Sequence, residues 1–188
     1  VPFYNGAEVS NTFGRQGLKS INIKKNNAET KIEADCLAVS GGWNPTVHLT
    51  CHMNGRPTWN DEISSFIPEI GAIPNMAIVG SANGHMDTGK CFESAQKEIN
   101  ALLKTFGKSS KTKKMPKVES TKFEISPKWA VEGKGRAWLD YQNDVTVKDV
   151  RQSVQENFKS VEHMKRYTTQ GMAIDQGKNS NVAALAIL

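Results

Sequence analysis

The sequence predicts an α/β fold in which an antiparallel β-meander and two buried strands precede a small helical module. Three observations support this. Residues 8–35 alternate between polar and apolar side chains, as antiparallel strands do. The continuous apolar runs 36–40 and 76–80 are typical of strands buried on both faces of a parallel sheet. Helical periodicity begins after Asp87 and returns after Thr146.

The strands are predicted from composition and turn signals. Within 8–35, Asn26 and Asn27 supply a turn between two antiparallel strands. The apolar run 36–40 ends at a Gly-Gly-Trp-Asn-Pro break, and 46–75 mixes polar, glycine and proline residues. We therefore expect 46–75 to be irregular.

The helix after Asp87 has the clearest pattern in the sequence. Gly107 is a suitable residue for its C-terminal end. Its apolar side chains fall on one stripe: Cys91, Ala95, Ile99, Leu102, Leu103 and Phe106. Residues 108–128 are rich in lysine, contain two prolines and predict a solvated linker.

Short capped helices are predicted in the last part of the chain. Thr146, with Asp149 three residues later, forms an N-cap that resembles a capping box. Ser160 caps a second helix that ends near Gly171, and a third begins after 175–181. Such short helices require another surface to pack against.

Composition limits the function classes. The net charge of +5 comes mainly from the linker, whose lysines in 108–117 are not interleaved with aromatic residues. A solvated spacer is therefore favoured, and a basic binding module is the alternative. No membrane span or signal peptide is visible. The three cysteines lack metal-ligand spacing and predict buried thiols at Cys36 and Cys91 in a reducing, cytoplasmic compartment.

Two segments are candidate binding sites. Gly80 and Gly84 let the backbone approach a ligand, and the following helix N-terminus can face a phosphate or a ribose. Tight turns alone also require such glycines, and the segment is not a GxGxxG motif. The tract 166–181 is dense in hydroxyl, amide and cationic groups. It can hold an anion, a cofactor or a partner chain, or be an ordinary polar loop.

No catalytic residue and no metal site are predicted. His48 and His52 are four residues apart, but they lie in a segment without a helical pattern, which argues against a metal pair. His85 lies in the glycine-containing turn and can touch a ligand. His163 is predicted to be a half-buried helix residue. No Ser/His/Asp set or paired-carboxylate site is present in the pattern.

Two segments together resemble a known family. The stretch "ADCLAVSGGWNPTVHL" (34–49) and residues 140–188 are similar to the alpha subunits of heterotetrameric sarcosine oxidases. The resemblance covers nearly the whole chain, with gaps around 50–70 and in the lysine-rich linker. Strand and helix patterns continue to both ends, so we expect a piece of a longer polypeptide.

The resemblance implies a domain organisation. Residues 1–107 would be the C-terminal part of a FAD/NAD-type (two-dinucleotide-binding) domain, whose glycine-rich first turn is expected upstream. Residues 108–128 would be a linker. Residues 129–188 would be a helical connector that contacts other subunits and precedes a folate-binding region.

The resemblance also implies cofactor contacts. The family's NAD contacts match Ser81, Met86 and Thr88, beside Gly80 and Gly84. Where many relatives of the wider class have Gly-Asp contacting a flavin, this chain has Gly-Ser-Ala-Asn, which is compatible with NAD. FMN would lie at the subunit interface, with FAD and tetrahydrofolate elsewhere in the complex. Clustered cations and hydroxyls suggest the residues that face FMN: Arg166, Thr168, Thr169 and Lys178.

The implied activity is oxidation of sarcosine to glycine, with tetrahydrofolate receiving the one-carbon unit and oxygen reduced to hydrogen peroxide. We expect the chain to act with beta, gamma and delta subunits, to be inactive alone, and to bind neither nucleic acid nor membrane. Two alternatives stay open. One is the alpha subunit of a related amine or proline dehydrogenase, and the other is a non-enzymatic basic binding module.

Overall fold

The computed structural model describes residues 2–109, 114–119 and 123–188. The chain divides into two compact units, one combining Val1–Gly41 with Lys128–Leu188 and the other comprising Gly42–Pro127. These units differ from the expected segments 1–107 and 129–188. The N-terminal meander therefore belongs to the same unit as the C-terminal helices, although the two are far apart in the sequence.

Groups of antiparallel strands are separated by helices, and three helices follow the last strand. The strands are β1 (Glu8–Phe13), β2 (Ser20–Lys25), β3 (Ala28–Glu33), β4 (Thr58–Asn60), β5 (Ser65–Ile67), β6 (Trp138–Asp140) and β7 (Val145–Thr146). The helices are α1 (His48–His52), α2 (Thr88–Thr105), α3 (Val147–Gln155), α4 (Val161–Thr168) and α5 (Asn181–Ile187). All pairings among these strands are antiparallel: β1-β2-β3 form one sheet, and β4-β5 and β6-β7 form separate pairs.

The predicted meander is confirmed. Lys25 pairs with Ala28, so Asn26 and Asn27 form a two-residue hairpin turn. Their φ angles of 48° and 68° are the left-handed conformation that a type I′ turn requires. The central strand β2 buries Ile21 and supplies the apolar side of the sheet.

The prediction of buried parallel strands at 36–40 and 76–80 is wrong for the described residues. A strand forms only where a neighbour accepts and donates its backbone hydrogen bonds. Within the described part of the chain, no backbone hydrogen bond involves 36–40, and Leu37 and Cys36 are exposed. Residues 76–80 lead instead into a 3-10 turn at Gly80–Asn83.

Helix α2 begins and ends where predicted. The Asp87 carboxylate caps it by accepting a hydrogen bond from Lys90 N at 3.0 Å, and Gly107 follows it with a φ of 64°. The predicted apolar stripe is not buried, however, because Ile99 and Phe106 are exposed. Cys91, which lies on the same stripe and was predicted to be a buried thiol, is only partly buried.

The segment 46–75, predicted to be irregular, contains α1 and the β4-β5 hairpin. Trp59 and Phe66 face each other across this hairpin, with ring centroids 5.1 Å apart in an edge-to-face arrangement. The described residues of the predicted linker contain no helix or strand, whereas 110–113 and 120–122 lie outside the described residues.

The predicted caps of the C-terminal helices are confirmed. Thr146 Oγ1 accepts a hydrogen bond from Asp149 N at 3.3 Å, and Asp149 Oδ2 accepts one from Thr146 N at 2.8 Å. This is a reciprocal capping box. Ser160 Oγ accepts from His163 N at 3.2 Å at the start of α4. The helices enclose a small apolar core: Val145, Val150, Met164 and Ala184.

Candidate functional site

Residues 80–88 form a tight corner at the N-terminus of α2. Gly80 and Gly84 have φ angles of 63° and 82°, a left-handed conformation that favours glycine. His85 N donates to Gly80 O at 3.2 Å and closes the turn. A Cβ on Gly84 would also lie 2.9 Å from Ile67 Cγ2, which is too close. Local structure alone therefore accounts for both glycines.

A cavity of about 960 Å³ lies beside this corner. Gly84 and Met86 line it, as does His85. Three other predicted contacts lie outside its described lining: Gly80, Ser81 and Thr88. The apolar lining is built from Ile63, Ile67, Ile70 and Ile78. Sequence reasoning missed these isoleucines, and their density in 63–78 is the signal that could have revealed them.

Asp87 restricts what the N-terminus of α2 can bind. Its buried carboxylate accepts the amide of Lys90 and therefore occupies a donor that a phosphate would need. A carboxylate at this end also repels an anion. The corner suits a neutral hydroxyl-bearing group, such as a ribose, better than a phosphate.

Asn83 adds a second polar feature to the cavity. Its Oδ1 atom is buried and has no hydrogen-bond partner among the described residues. Because Asn83 also lines the cavity, this acceptor suits a ligand that donates a hydrogen bond, through a hydroxyl or a carboxamide.

The tract 166–181 is fixed to the β6-β7 turn. Gly171 N donates to Asp140 Oδ2 at 2.9 Å, and the other oxygen of this buried carboxylate accepts two amides of the turn at 2.9 and 3.2 Å. Asn143 Nδ2 donates to Thr169 O at 3.0 Å. Sequence reasoning missed Asp140, because its partner Gly171 is distant along the chain.

The same tract is closed by polar packing. Gly171 and Gly177 have φ angles of 67° and 73°, and a Cβ on either would overlap the side chain of Asn181. Gln170 is fully buried and donates through Nε2 to Ser180 Oγ at 2.6 Å. The interior of the loop is therefore largely occupied by its own amides. Two of their oxygens, Gln170 Oε1 and Asn181 Oδ1, are buried without a hydrogen-bond partner among the described residues.

The four residues predicted to face FMN differ in their hydrogen bonds and ion pairs. The hydroxyls of Thr168 and Thr169 donate to backbone carbonyls at 2.8 and 2.6 Å, so their hydrogens are already used. Arg166 Nη1 donates to Glu162 Oε2 at 2.9 Å in an exposed ion pair. Lys178 is exposed. The two cations are thus better placed to meet an anion than the two hydroxyls.

The other three histidines do not line the cavity beside α2. His48 and His52 lie at the two ends of α1, so the prediction that their segment lacks a helix is wrong. Even so, no group of three or more His, Cys, Asp or Glu in the described residues could hold a metal ion. His163 is exposed, not half-buried. In the described part of the chain, every helix is too short or too polar to span a membrane.

Comparison with known proteins identifies the relatives of this chain. Residues 134–188 match the family described as "Sarcosine oxidase A3 domain". Sarcosine oxidase subunit alpha of Rhizobium meliloti (strain 1021) is 35% identical over 97% of this chain. The resemblance to the sarcosine oxidase alpha subunit is confirmed. The corresponding subunit of Corynebacterium sp. (strain P-1) is 34% identical over 84% of the chain. The chain spans only 19% and 17% of these two relatives.

A solved structure shares the fold. The crystal structure of L-proline dehydrogenase from P. horikoshii matches with a TM-score of 0.62 over 95% of this chain and 38% of its own chain. Sequence identity in this match is 14%, so the match shows a common fold and does not extend to substrate.

Within the segment that matches the sarcosine oxidase A3 domain, one exposed pair has shifted pKa values. Tyr167 Oη donates to Glu156 Oε2 at 2.6 Å, and its ring stacks on Phe158 at a centroid distance of 4.8 Å. This hydrogen bond, followed by one from Gln152, lowers the pKa of Glu156 from 4.5. The same hydrogen bond raises the pKa of Tyr167 above 10.0.

The signs of these shifts set a pH window. The pKa of Glu156 is lowered on folding, so its contribution to stability is present above pH 4.5 and is lost as the pH falls through the folded pKa. The pKa of Tyr167 is raised, so its contribution is present below pH 10.0 and is lost as the pH rises through the folded pKa. The pair therefore stabilises the folded state between these limits.

We expect the substitution Tyr167→Phe to raise the pKa of Glu156 towards 4.5, because the strongest donor is removed while ring stacking on Phe158 persists. NMR titration of the Glu156 carboxyl measures this. Gln152→Ala is the matched control, since it removes the weaker donor and should raise the pKa less. An unchanged Glu156 pKa in the Tyr167→Phe protein would contradict the assignment.

Proposed function

We propose that this chain is part of the alpha subunit of a cytoplasmic sarcosine oxidase. The observation that carries the proposal is the 35% identity to a sarcosine oxidase alpha subunit over 97% of the chain. In this proposal the whole complex oxidises sarcosine with oxygen and releases hydrogen peroxide. The methyl carbon passes to tetrahydrofolate and glycine is left.

The chain's part in this reaction is binding and assembly. We assign it no catalytic residue and expect it to be inactive alone. Its partners are proposed to be beta, gamma and delta subunits, with FAD and tetrahydrofolate bound elsewhere in the complex. The 1–107 segment is proposed to complete a FAD/NAD-type domain whose glycine-rich turn lies upstream, and 129–188 to act as a subunit-contacting connector.

NAD is the ligand proposed for the cavity beside α2. The buried, unpartnered Asn83 Oδ1 suits a donor of the carboxamide or the ribose, and isoleucines provide an apolar surface for a ring. Gly84 and Met86 line the same cavity. Because the capping carboxylate of Asp87 repels an anion, the proposal puts a ribose at this corner and the phosphates elsewhere in the site. The corner residues outside the lining are proposed to contact the rest of NAD: Gly80, Ser81 and Thr88.

FMN is proposed to face the outer surface of the tract 166–181. Arg166 and Lys178 are exposed cations that suit its phosphate, since charge-assisted hydrogen bonds are the stronger ones. Thr168 and Thr169 contribute less in this proposal, because their hydroxyl hydrogens are donated to backbone carbonyls.

The alternatives are less well supported. The match to L-proline dehydrogenase has 14% identity, against 35% for the sarcosine oxidase relative. None of the relatives named above supports a basic binding module, and the lysine tract proposed for it lies partly outside the described residues.

The decisive experiment is co-expression of the full-length chain with its neighbouring subunits. We expect the purified complex to form hydrogen peroxide with sarcosine and not with L-proline, and the 188-residue chain alone to form none. Peroxide production is followed by a coupled peroxidase assay. A complex that oxidises L-proline but leaves sarcosine unchanged would instead support the proline dehydrogenase alternative.

The substitution Met86→Trp is expected to weaken NAD binding by roughly tenfold or more, because the larger side chain takes up part of the cavity that the nucleotide would enter. Calorimetric titration of the assembled complex with NAD measures this. Met53→Trp is the matched control, since Met53 is exposed and lies outside the lining of the cavity. Equal affinity in the two variants would argue against this NAD site.

The double substitution of Arg166 and Lys178 by Ala is expected to lower FMN retention about tenfold, the typical value of lost charge-assisted contacts. FMN content per complex is measured after gel filtration. Glu162→Ala is the control, because it removes the partner of Arg166 and leaves both cations in place. FMN content equal to wild type in the double variant would show that the two cations do not hold FMN.

A further inference from the structure

Asn181 lies where two parts of the tract 166–181 meet. A Cβ atom placed on Gly171 or on Gly177 would overlap the Asn181 side chain. Asn181 Nδ2 donates a hydrogen bond to Gln176 O at 3.3 Å. Because a carbonyl oxygen can only accept, this contact fixes which end of the side-chain amide faces Gln176. Asn181 therefore contacts three residues of the loop that precedes it.

The turn 175–178, which Asn181 contacts, has an unfavourable backbone conformation. Lys178 N donates to Asp175 O at 3.1 Å and closes the turn. The central residues Gln176 and Gly177 have φ angles of 53° and 73°, the left-handed conformation that a type I′ turn requires. Glycine adopts it freely, but glutamine carries a Cβ atom and does not. Such a residue persists only where neighbouring contacts hold it, and these residues are common in ligand-binding segments.

Two side chains hold this turn. Gly177 N donates to Asp175 Oδ1 at 3.2 Å, a contact within the turn itself. Asn181 reaches the turn from outside, through Gln176 O. Asn181 is the first residue of α5, and α5 packs into the apolar core through Ala184. The Asn181 amide therefore ties the turn to the helical core, which the contact within the turn cannot do.

Lys178 is the residue whose placement depends on this turn. Its backbone N–H closes the turn, its side chain is exposed, and its ammonium group makes no ion pair in the described part of the chain. The neighbouring cation Arg166 is instead paired with Glu162. A lysine on a fixed backbone loses less conformational entropy when it binds an anion than one on a mobile loop.

We propose that Asn181 is a positioning residue of the FMN site, whose amide holds the turn 175–178 so that Lys178 is presented to the FMN phosphate. Asn181 does not itself contact FMN in this proposal. The inference rests on the proposed function, because it requires that Lys178 meets FMN. It adds a residue that contributes to FMN binding through the shape of the backbone.

The test compares variants of the full-length alpha subunit in the assembled complex. Asn181→Leu keeps about the same side-chain volume and removes the donor to Gln176 O, so it should lower FMN content about threefold, as Lys178→Ala should. The phosphorus NMR resonance of the FMN that stays bound should shift in the same direction in both variants, because both weaken the contact between ammonium and phosphate. Asn179→Ala is the matched control, since this neighbouring asparagine is exposed and makes no side-chain hydrogen bond within the described residues.

The combined variant, Asn181→Leu with Lys178→Ala, separates positioning from stability. If Asn181 acts through Lys178, the combined variant should lose no more FMN than Lys178→Ala alone. An added loss would show that Asn181 acts through the general stability of the subunit, and it would overturn the inference. Asn181→Ala, which also removes the bulk beside the two glycines, should behave in the same way and replaces Asn181→Leu if that variant does not assemble.

The remaining outcomes distinguish the inference from the proposed function. Wild-type FMN content and resonance in Asn181→Leu, with both changed in Lys178→Ala, contradict the inference and leave the FMN proposal intact. No change in Lys178→Ala contradicts both. An equal loss in Asn179→Ala shows that the effect is not specific to Asn181. A complex that binds FMN but does not oxidise sarcosine contradicts the proposed activity and leaves the positioning role of Asn181 in place.

Discussion

The buried carboxylate of Asp140 fixes the arrangement of the C-terminal loops. It is 3% exposed and accepts hydrogen bonds from backbone amides on two different loops. A carboxylate removed from water without such donors would cost several kcal/mol, so the fold requires Gly171 to remain beside it. The close packing of Asn181 against Gly171 holds the other side of the same contact.

This constraint links the small core to the outer surface. The helices that enclose Val150 and Met164 are individually short and gain stability by packing on one another. Because Asp140 joins the hairpin before α3 to the loop after α4, the side chains on those loops are presented in a fixed arrangement. The proposed FMN-facing cations Arg166 and Lys178 lie on either side of Gly171 in the chain, so both depend on this support.

Local signals in the sequence predicted much of the fold. Asn26, Asp87, Thr146 and Ser160 each act within a few residues along the chain, and their turn or caps are present in the structure. Contacts between distant residues were not predictable in this way. The Asp140–Gly171 contact spans 31 positions, and no local sequence pattern at either residue identifies the other as its partner. The cavity isoleucines differ, because their density in 63–78 was a local signal that sequence reasoning did not use.

The wrong prediction of parallel strands has a physical meaning of its own. An apolar run indicates that a segment is buried in the native protein. Strand formation also needs a neighbouring strand with free backbone N–H and C=O groups. Residues 36–40 are apolar but have no neighbouring strand among the described residues. The apolar stripe of α2 is likewise left uncovered, with Ile99 and Phe106 exposed. In the proposed alpha subunit, of which relatives are about five times longer, we expect further polypeptide to cover both. The cavity beside α2 would then become an enclosed site, as the NAD proposal requires.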